Sequence, residues 1–345
     1  MRLIQFFSSE RGRRVGYVDG KNVVDLTSVN AKWTRICQLF FEARRSRKTI
    51  SGYLADFRIQ NADVVPYDQL LEAHPRDASG WILAPLDHPD PAHCLISGTG
   101  LTHLGSMEKR AEMHMIAAEG AEMPKTDSQK IFEMGLKGGK PEPCVRGVQP
   151  EWFYKGSGAI LRGHNDFLDI PEFTEDGGEE PEIVGCYVID DDGIPCRLGF
   201  AIGNEWSDHG MERVNYLWLA PSKLRVCSAG PELVTDQMFK DVRGGCRIVR
   251  KGKEIYNSGE LLTGQDHMSH SLANLEDHHF KYPQFRIPGD VHLHFFGTMK
   301  LSFPNRLNFR TGDRIEIRFE GMGEPLVNYV RKIPFSQTPI TVEKG

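Results

Sequence analysis

The stretch Glu179–His209, EEPEIVGCYVIDDDGIPCRLGFAIGNEWSDH, decides how the chain is read. Two apolar runs, IVGCYVI and CRLGFAIG, flank the turn cluster Asp190–Gly193, so the stretch predicts a β-hairpin with acid at the open end of each strand. Glu180 and Glu182 stand two apart, and on a strand both carboxylates leave the same face. Glu205 follows Gly203 and Asn204 at the end of the second run, where an antiparallel return brings it beside that pair. Carboxylates this close repel one another unless a hard cation lies between them. An all-oxygen trio with room for water suits Mg2+, Mn2+ or Ca2+. The plainer reading of the same residues is a solvated acidic turn.

Outward from the hairpin, composition sets the bounds. With 345 residues, 39% of them apolar, the chain can bury a full core as one large domain or as one large plus one small. A net charge of −5 without a basic run argues against nucleic acid as a partner. The opening MRLIQFFSSERGRR is charged too early for a signal peptide. No run approaches the roughly 18 apolar residues of a spanning helix, so no membrane partner and a cytoplasmic location are expected. The seven cysteines are scattered and odd in number, with no C-x-x-C, which speaks against a disulfide framework and a zinc ribbon.

Residues 1–88 read as a small α+β domain. LIQFF and RVGYVDGKNVVDL are strands, the second turning at Asp19-Gly20, and helices are expected around Trp33–Arg44 and Tyr67–Ala73 before the proline-rich WILAPLDHPDP. Residues 89–345 form the second domain. There HCLISGTGLTHLGSMEKRAEMH predicts a strand, a glycine turn that exposes His103, and a helix with Glu108 and Glu112 four apart on one face. The segment 124–147, with weak periodicity and Gly135, Gly138 and Gly139, is expected to form a hinged lid. CRIVRKGKEIYNSGELL predicts a hairpin about Lys251–Lys253, and MSHSLANLEDHHF a helix with Ser269 as its N-cap. His267, His270, His278, His279, His292 and His294 crowd into this last third, and an H-x-H on a strand is able to bind zinc.

EPEIVGCYVI, GFAIGNEWSDH and APSKLRVCSAGPELV together resemble the core of the fumarylacetoacetate hydrolase family, which sets E-x-E on one strand, N-D-x-S at the end of the next, and K-S-x-D ahead of a P-x-G-P turn. The segments PGDVHLHFFGTMKLSF and FRTGDRIEIRFEGMGEPLVNYV resemble its two G-D turn motifs, and the resemblance runs from about residue 90 to 331. It implies a mainly β, α+β fold, a distorted barrel or roll behind a small N-terminal α+β domain, and a homodimer. It also implies that Glu180 and Glu182 are metal ligands, that Glu205 replaces the usual aspartate ligand with one more methylene, and that Lys223 is the active-site lysine. PEWFYKG resembles the P-x-x-F-x-K-P strand and puts Lys155 near the metal, while Gly297 and Thr298 match the G-T pair that lies over the substrate carboxylate. His103 falls on the family histidine, but Ser106 stands where its acidic partner belongs, and a hydrolase needs that pair to activate water whereas a lyase does not.

Within the family, GTGLTHLGS, PEWFYKG, GGEEPE and GNEWSDH resemble most the branch that dehydrates 2-keto-3-deoxy sugar acids in non-phosphorylating pentose catabolism. The resemblance implies a Mg2+-dependent conversion of a 2-keto-3-deoxypentonate to 2,5-dioxopentanoate. Lys223 is expected as base or enolate clamp, and His103 or a glutamate of its helix, Glu112 among them, as acid. The alternatives are a metal-dependent hydrolase that cleaves a C–C bond of a diketo acid, and a sugar-acid sensor without turnover.

Overall fold

The computed structural model describes residues 1–76, 80–105, 125–305, 307–336 and 338–345. The N-terminal quarter supplies β1 (Arg2–Ser8), β2 (Gly12–Asp19), β3 (Asn22–Asp25), β4 (Asp63–Pro66) and β5 (Trp81–Ile82). Then follow β6 (Cys94–Gly100), β7 (Glu151–Ser157), β8 (Leu161–Arg162), β9 (Phe167–Pro171), the central pair β10 (Pro181–Ile189) and β11 (Pro195–Asn204), and β12 (Cys227–Val234). The last third adds β13 (Val242–Arg250), β14 (Lys253–Asn257), β15 (Leu261–Thr263), β16 (Val291–Phe295), β17 (Arg314–Phe319) and β18 (Leu326–Ile333). The protein is thus mainly β with α-helices between the strands.

The strands make two sheets. One runs β4-β3-β2-β1-β12-β11-β10-β16-β6-β7, and the other β14-β13-β17-β18-β9. Among the described residues neither order returns to its first strand, so the expected barrel is here a pair of open sheets. The N-terminal strands lengthen the central sheet instead of closing it: β1 pairs with β12 at Arg2↔Val234 and Leu3↔Leu233.

The hairpin β10–β11 lies in the middle of the larger sheet and is buried on both faces, which is why its strands read as unbroken apolar runs. Val184, Cys186, Val188 and Ala201 pack into one core with Leu3, Trp33, Leu39 and Phe295. Ile183, Ile189, Phe200 and Ile202 pack into the other with Ile248, Leu275 and Ile317. At roughly 1.5–3 kcal/mol per buried aliphatic or aromatic side chain, this packing holds the hairpin rigid. Its turn is also clamped, because the amphipathic helix Ile36–Arg45 ends in Arg44 and Arg45, which pair with Asp190 and Asp191 at 2.8 Å each. The open end, carrying the acids, is the end left for chemistry.

Two expectations of local structure change. Residues 127–138 form a helix with a capping box at Thr126, where a lid was expected. The glycines serve close approach: a Cβ on Gly135 would sit 2.7 Å from His270 Nε2, and one on Gly139 would sit 2.4 Å from the Ser269 carbonyl oxygen. The helix Leu272–Phe280 is capped by Ser271, not Ser269, whose hydroxyl donates to the Thr102 carbonyl at 3.1 Å.

Candidate active site

The register of the hairpin brings the acids together. Pro181 pairs with Asn204 and Glu182 with Gly203, and the Glu205 amide donates to the Glu180 carbonyl at 3.1 Å. One carboxylate oxygen from each of Glu180, Glu182 and Glu205 lies within 4.8 Å of the other two, and all three residues are buried. Gly203 is what lets the chains meet here, since a Cβ on it would fall 2.3 Å from Val184.

Two lysines enter this acid cluster. Lys223, the last residue of the short helix Leu219–Lys223, places Nζ 2.6 Å from Glu180 Oε1, 2.7 Å from Glu205 Oε2 and 2.9 Å from Ser207 Oγ. Burial works to lower its pKa, but Glu180, Glu205 and Glu212 outweigh burial and hold the ammonium charged, well above the usual lysine value. Lys155, on β7 and fully buried, pairs with Glu205 and donates to the carbonyls of Trp206 at 2.6 Å and Lys223 at 3.0 Å. It therefore serves as an internal counter-ion to Glu205.

Among the described residues the lysines pair with Glu180 and Glu205, and no ion pair reaches Glu182. Burial first, then the charges of Glu180 and Glu205, push its carboxyl well above the ordinary range. Among the described residues its hydrogen-bond donor is the Gly297 amide, 2.6 Å from Oε2. A dication among these oxygens would remove the conflict, and the donor set of three carboxylates suits a hard ion. The residues present therefore fit the expected metal.

The other expected site residues are placed as follows. Gly297 takes φ +93°, and a Cβ there would lie 2.6 Å from Thr102 Oγ1 and 3.4 Å from His103 Nδ1. Its amide thus faces Glu182, while Thr298 donates to the Lys300 carbonyl at 3.0 Å. His103 lies behind Gly297 and is not exposed: it is 1% accessible, bonded to Thr102 Oγ1 at 3.1 Å and Thr263 Oγ1 at 2.8 Å, and burial lowers its pKa to about 3. Glu108 and Glu112, with Ser106, lie outside the described residues.

Phe153 and His209, not among the expected site residues, touch the site directly, and Glu151 lies further along β7. Phe153, two residues before Lys155 on the same face of β7, sets its ring 4.8 Å from Lys223 Nζ. Glu151, two residues further out on that face, accepts a hydrogen bond from the Tyr216 hydroxyl. Alternation along PEWFYKG, once Lys155 faces the site, was the signal for both. His209 reaches Glu180 Oε1 from Nε2 at 3.0 Å. Two surface grooves, of about 760 and 330 Å3, lie elsewhere, around Arg243, Arg247 and Glu316 and beside Leu71 and His164. Neither is lined by a residue of the trio, so chemistry and not groove size marks the site.

Solved structures repeat this architecture. A 2-keto-3-deoxy-D-arabinonate dehydratase in its apo form superposes with a TM-score of 0.68 at 19% identity, over 96% of this chain and 99% of that one. The chain has the fumarylacetoacetate hydrolase-like fold. The same dehydratase in complex with magnesium and 2,5-dioxopentanoate gives 0.68 at 18% identity, covering 97% of this chain and 100% of that one. A 5-carboxymethyl-2-hydroxymuconate delta-isomerase from Mycobacterium smegmatis gives 0.55 at 18% identity, over 96% and 99%. No family model matches the chain. No curated protein sequence matches it either. Among the described residues no helix is long and apolar enough to cross a membrane.

Proposed function

We propose that the protein is a Mg2+-dependent hydro-lyase that converts a 2-keto-3-deoxypentonate to 2,5-dioxopentanoate. The observation that carries this reading is the buried convergence of Glu180, Glu182 and Glu205 with a charged lysine on two of them. Held by the trio, a magnesium ion would act as Lewis acid toward the carboxylate and 2-keto oxygens of the substrate and make carbon 3 acidic. The likeness to a dehydratase solved with magnesium and 2,5-dioxopentanoate supports the choice of substrate class.

The chain's own residues divide the remaining work. Lys223 carries a proton and is positioned as a donor, so its roles are to clamp the substrate's developing oxyanion and to protonate the departing 4-hydroxyl. Glu151, on the wall beside Phe153, takes the proton from carbon 3, with the Tyr216 hydroxyl orienting its carboxylate. Phe153 keeps water from the lysine. The C3–H and C4–O bonds break and water leaves. A proton then moves from carbon 5 to carbon 3, and the resulting enol tautomerises to the 5-aldehyde. His103, neutral and enclosed, supports the Gly297 turn, and the acid role falls to Lys223.

Purified protein with Mg2+ is to be assayed against a 2-keto-3-deoxypentonate and a 2,4-diketo acid. Release of 2,5-dioxopentanoate from the first is the expected result. Rapid C–C cleavage of the second with no aldehyde from the first contradicts the dehydratase reading and favours the hydrolase. Ligand-dependent melting without turnover of either favours the sensor.

A further inference from the structure

The polar contact of His209 with Glu180 is not needed to fold the helix it begins. The helix His209–Val214 is capped by Asp208, whose Oδ1 accepts from the Met211 amide at 3.0 Å and whose Oδ2 pairs with Arg225. The His209 ring is turned instead toward the acid cluster. It is wedged between Gly178, where a Cβ would fall 2.2 Å from Nδ1, and Phe303, whose ring centroid is 5.3 Å away. The backbone on its far side is fixed as well, because Gly178 and Ser207 exchange amide–carbonyl bonds of 2.9 and 3.1 Å. The imidazole therefore has one place to point.

That place is Glu180 Oε1, 3.0 Å from Nε2. Nδ1 is buried without a hydrogen-bond partner among the described residues, so Nε2 is the nitrogen whose proton finds an acceptor, and it donates to the carboxylate. Glu180 Oε1 thus receives two donors, His209 Nε2 and Lys223 Nζ. With Oε1 committed, the rotation of the carboxylate is fixed and Oε2 is the oxygen left for a cation. Metal-ligating groups held in this way by an outer hydrogen bond lose roughly 10- to 100-fold in affinity when the outer partner is removed.

We propose that His209 is a positioning residue that sets the dication affinity of the trio by fixing the Glu180 carboxylate. This inference rests on the metal reading of the site. It is tested by titrating Mg2+ into the wild type and into His209→Gln, His209→Asn and His209→Phe by calorimetry, with melting temperatures taken in EDTA and in excess Mg2+. Gln carries an amide donor near the position of Nε2, whereas Asn is too short and Phe has none. The expected result is near-native affinity for Gln, and a loss of about 10- to 100-fold for Asn and Phe with a smaller Mg2+-induced rise in melting temperature. Should Phe fail to fold, the Gln–Asn comparison decides by itself, because both are polar amides that differ only in reach. Equal affinity for Asn and wild type overturns the proposal, even if both variants melt lower, since a packing role alone moves the EDTA melting temperature and not the Mg2+ increment. A wild type that binds no Mg2+ overturns the metal reading itself, and the proposal falls with it.

Discussion

The molecule buries two crowded sets of titratable side chains and treats them in opposite ways. At the open end of the hairpin, Lys223 pairs with Glu180 and Glu205 and Lys155 with Glu205, and charge is kept inside the protein beside Glu182. Between β16 and the helix Leu272–Phe280, His279, His292 and His294 are kept neutral. His279 Nε2 lies 3.0 Å from His292 Nδ1, His294 Nδ1 lies 2.8 Å from Ser97 Oγ, and the His279 and His294 rings stack at 4.5 Å. Among the described residues only the glutamate trio brings three metal-type donors together, and the histidines do not. Crowding in sequence is therefore a poor guide to a site. What separates the two regions is whether the charges remain after burial, because leftover charge gives a cation or substrate something to bind.

The contrast is broken most forcefully from the charged side. Glu205→Ala removes the carboxylate facing the fully buried Lys155 ammonium, and stability is expected to fall by about 3–5 kcal/mol, read by denaturant unfolding. A loss within the error of the wild type would show that Lys155 needs no counter-ion. Lys223→Met is expected to slow turnover by about 2.7 kcal/mol or more, on the order of a hundredfold, with Mg2+ binding retained in calorimetry. A near-normal rate removes the lysine from the reaction.

The neutral side is sharpened by acid. Burial lowers the pKa values of His292 and His294 to about 3. Unfolded imidazoles take up protons as the pH falls through about 6.5, whereas the folded ones stay neutral until about 3, so stability present above the unfolded value is lost across that window. At pH 5 the loss is on the order of 2 kcal/mol per imidazole. Denaturant midpoints at pH 7 and pH 5 measure it, and an unchanged midpoint contradicts the neutral burial of the cluster. The smallest effect belongs to the seam between acid and histidine. Gly297→Ala places a Cβ at φ +93° within 2.6 Å of Thr102 Oγ1, and about 1 kcal/mol or more of stability is expected to go. An unchanged denaturant midpoint in this variant would show that the turn relaxes freely.

Much of this was legible in the sequence because its periodicities are local. The apolar runs and turn of 179–209 lead to the hairpin and to Glu205 beside Glu180, since strand alternation and antiparallel return fix both. The resemblance sets Gly297 over the substrate carboxylate, but its amide serves Glu182, a contact between residues far apart in the chain that no spacing encodes. A glycine turn ahead of His103 predicts exposure, yet the bridge to Met268 and the Thr263 bond draw it inside. The segment 127–138 hid its helix because glycines chosen for close packing against Ser269 and His270 also blur helical periodicity. Glu151 and Phe153 were overlooked because only the placement of Lys155 reveals which face of β7 looks inward.

The central proposal is that the trio holds a hard dication able to grip a 2-oxo acid. Crystals soaked with Mn2+ and pyruvate, with data collected at the manganese edge, test it most directly. The expected result is one anomalous peak bounded by Glu180, Glu182 and Glu205, with pyruvate oxygens completing its coordination. Glutamates that remain paired with Lys223 and show no peak between them at saturating Mn2+ would contradict it.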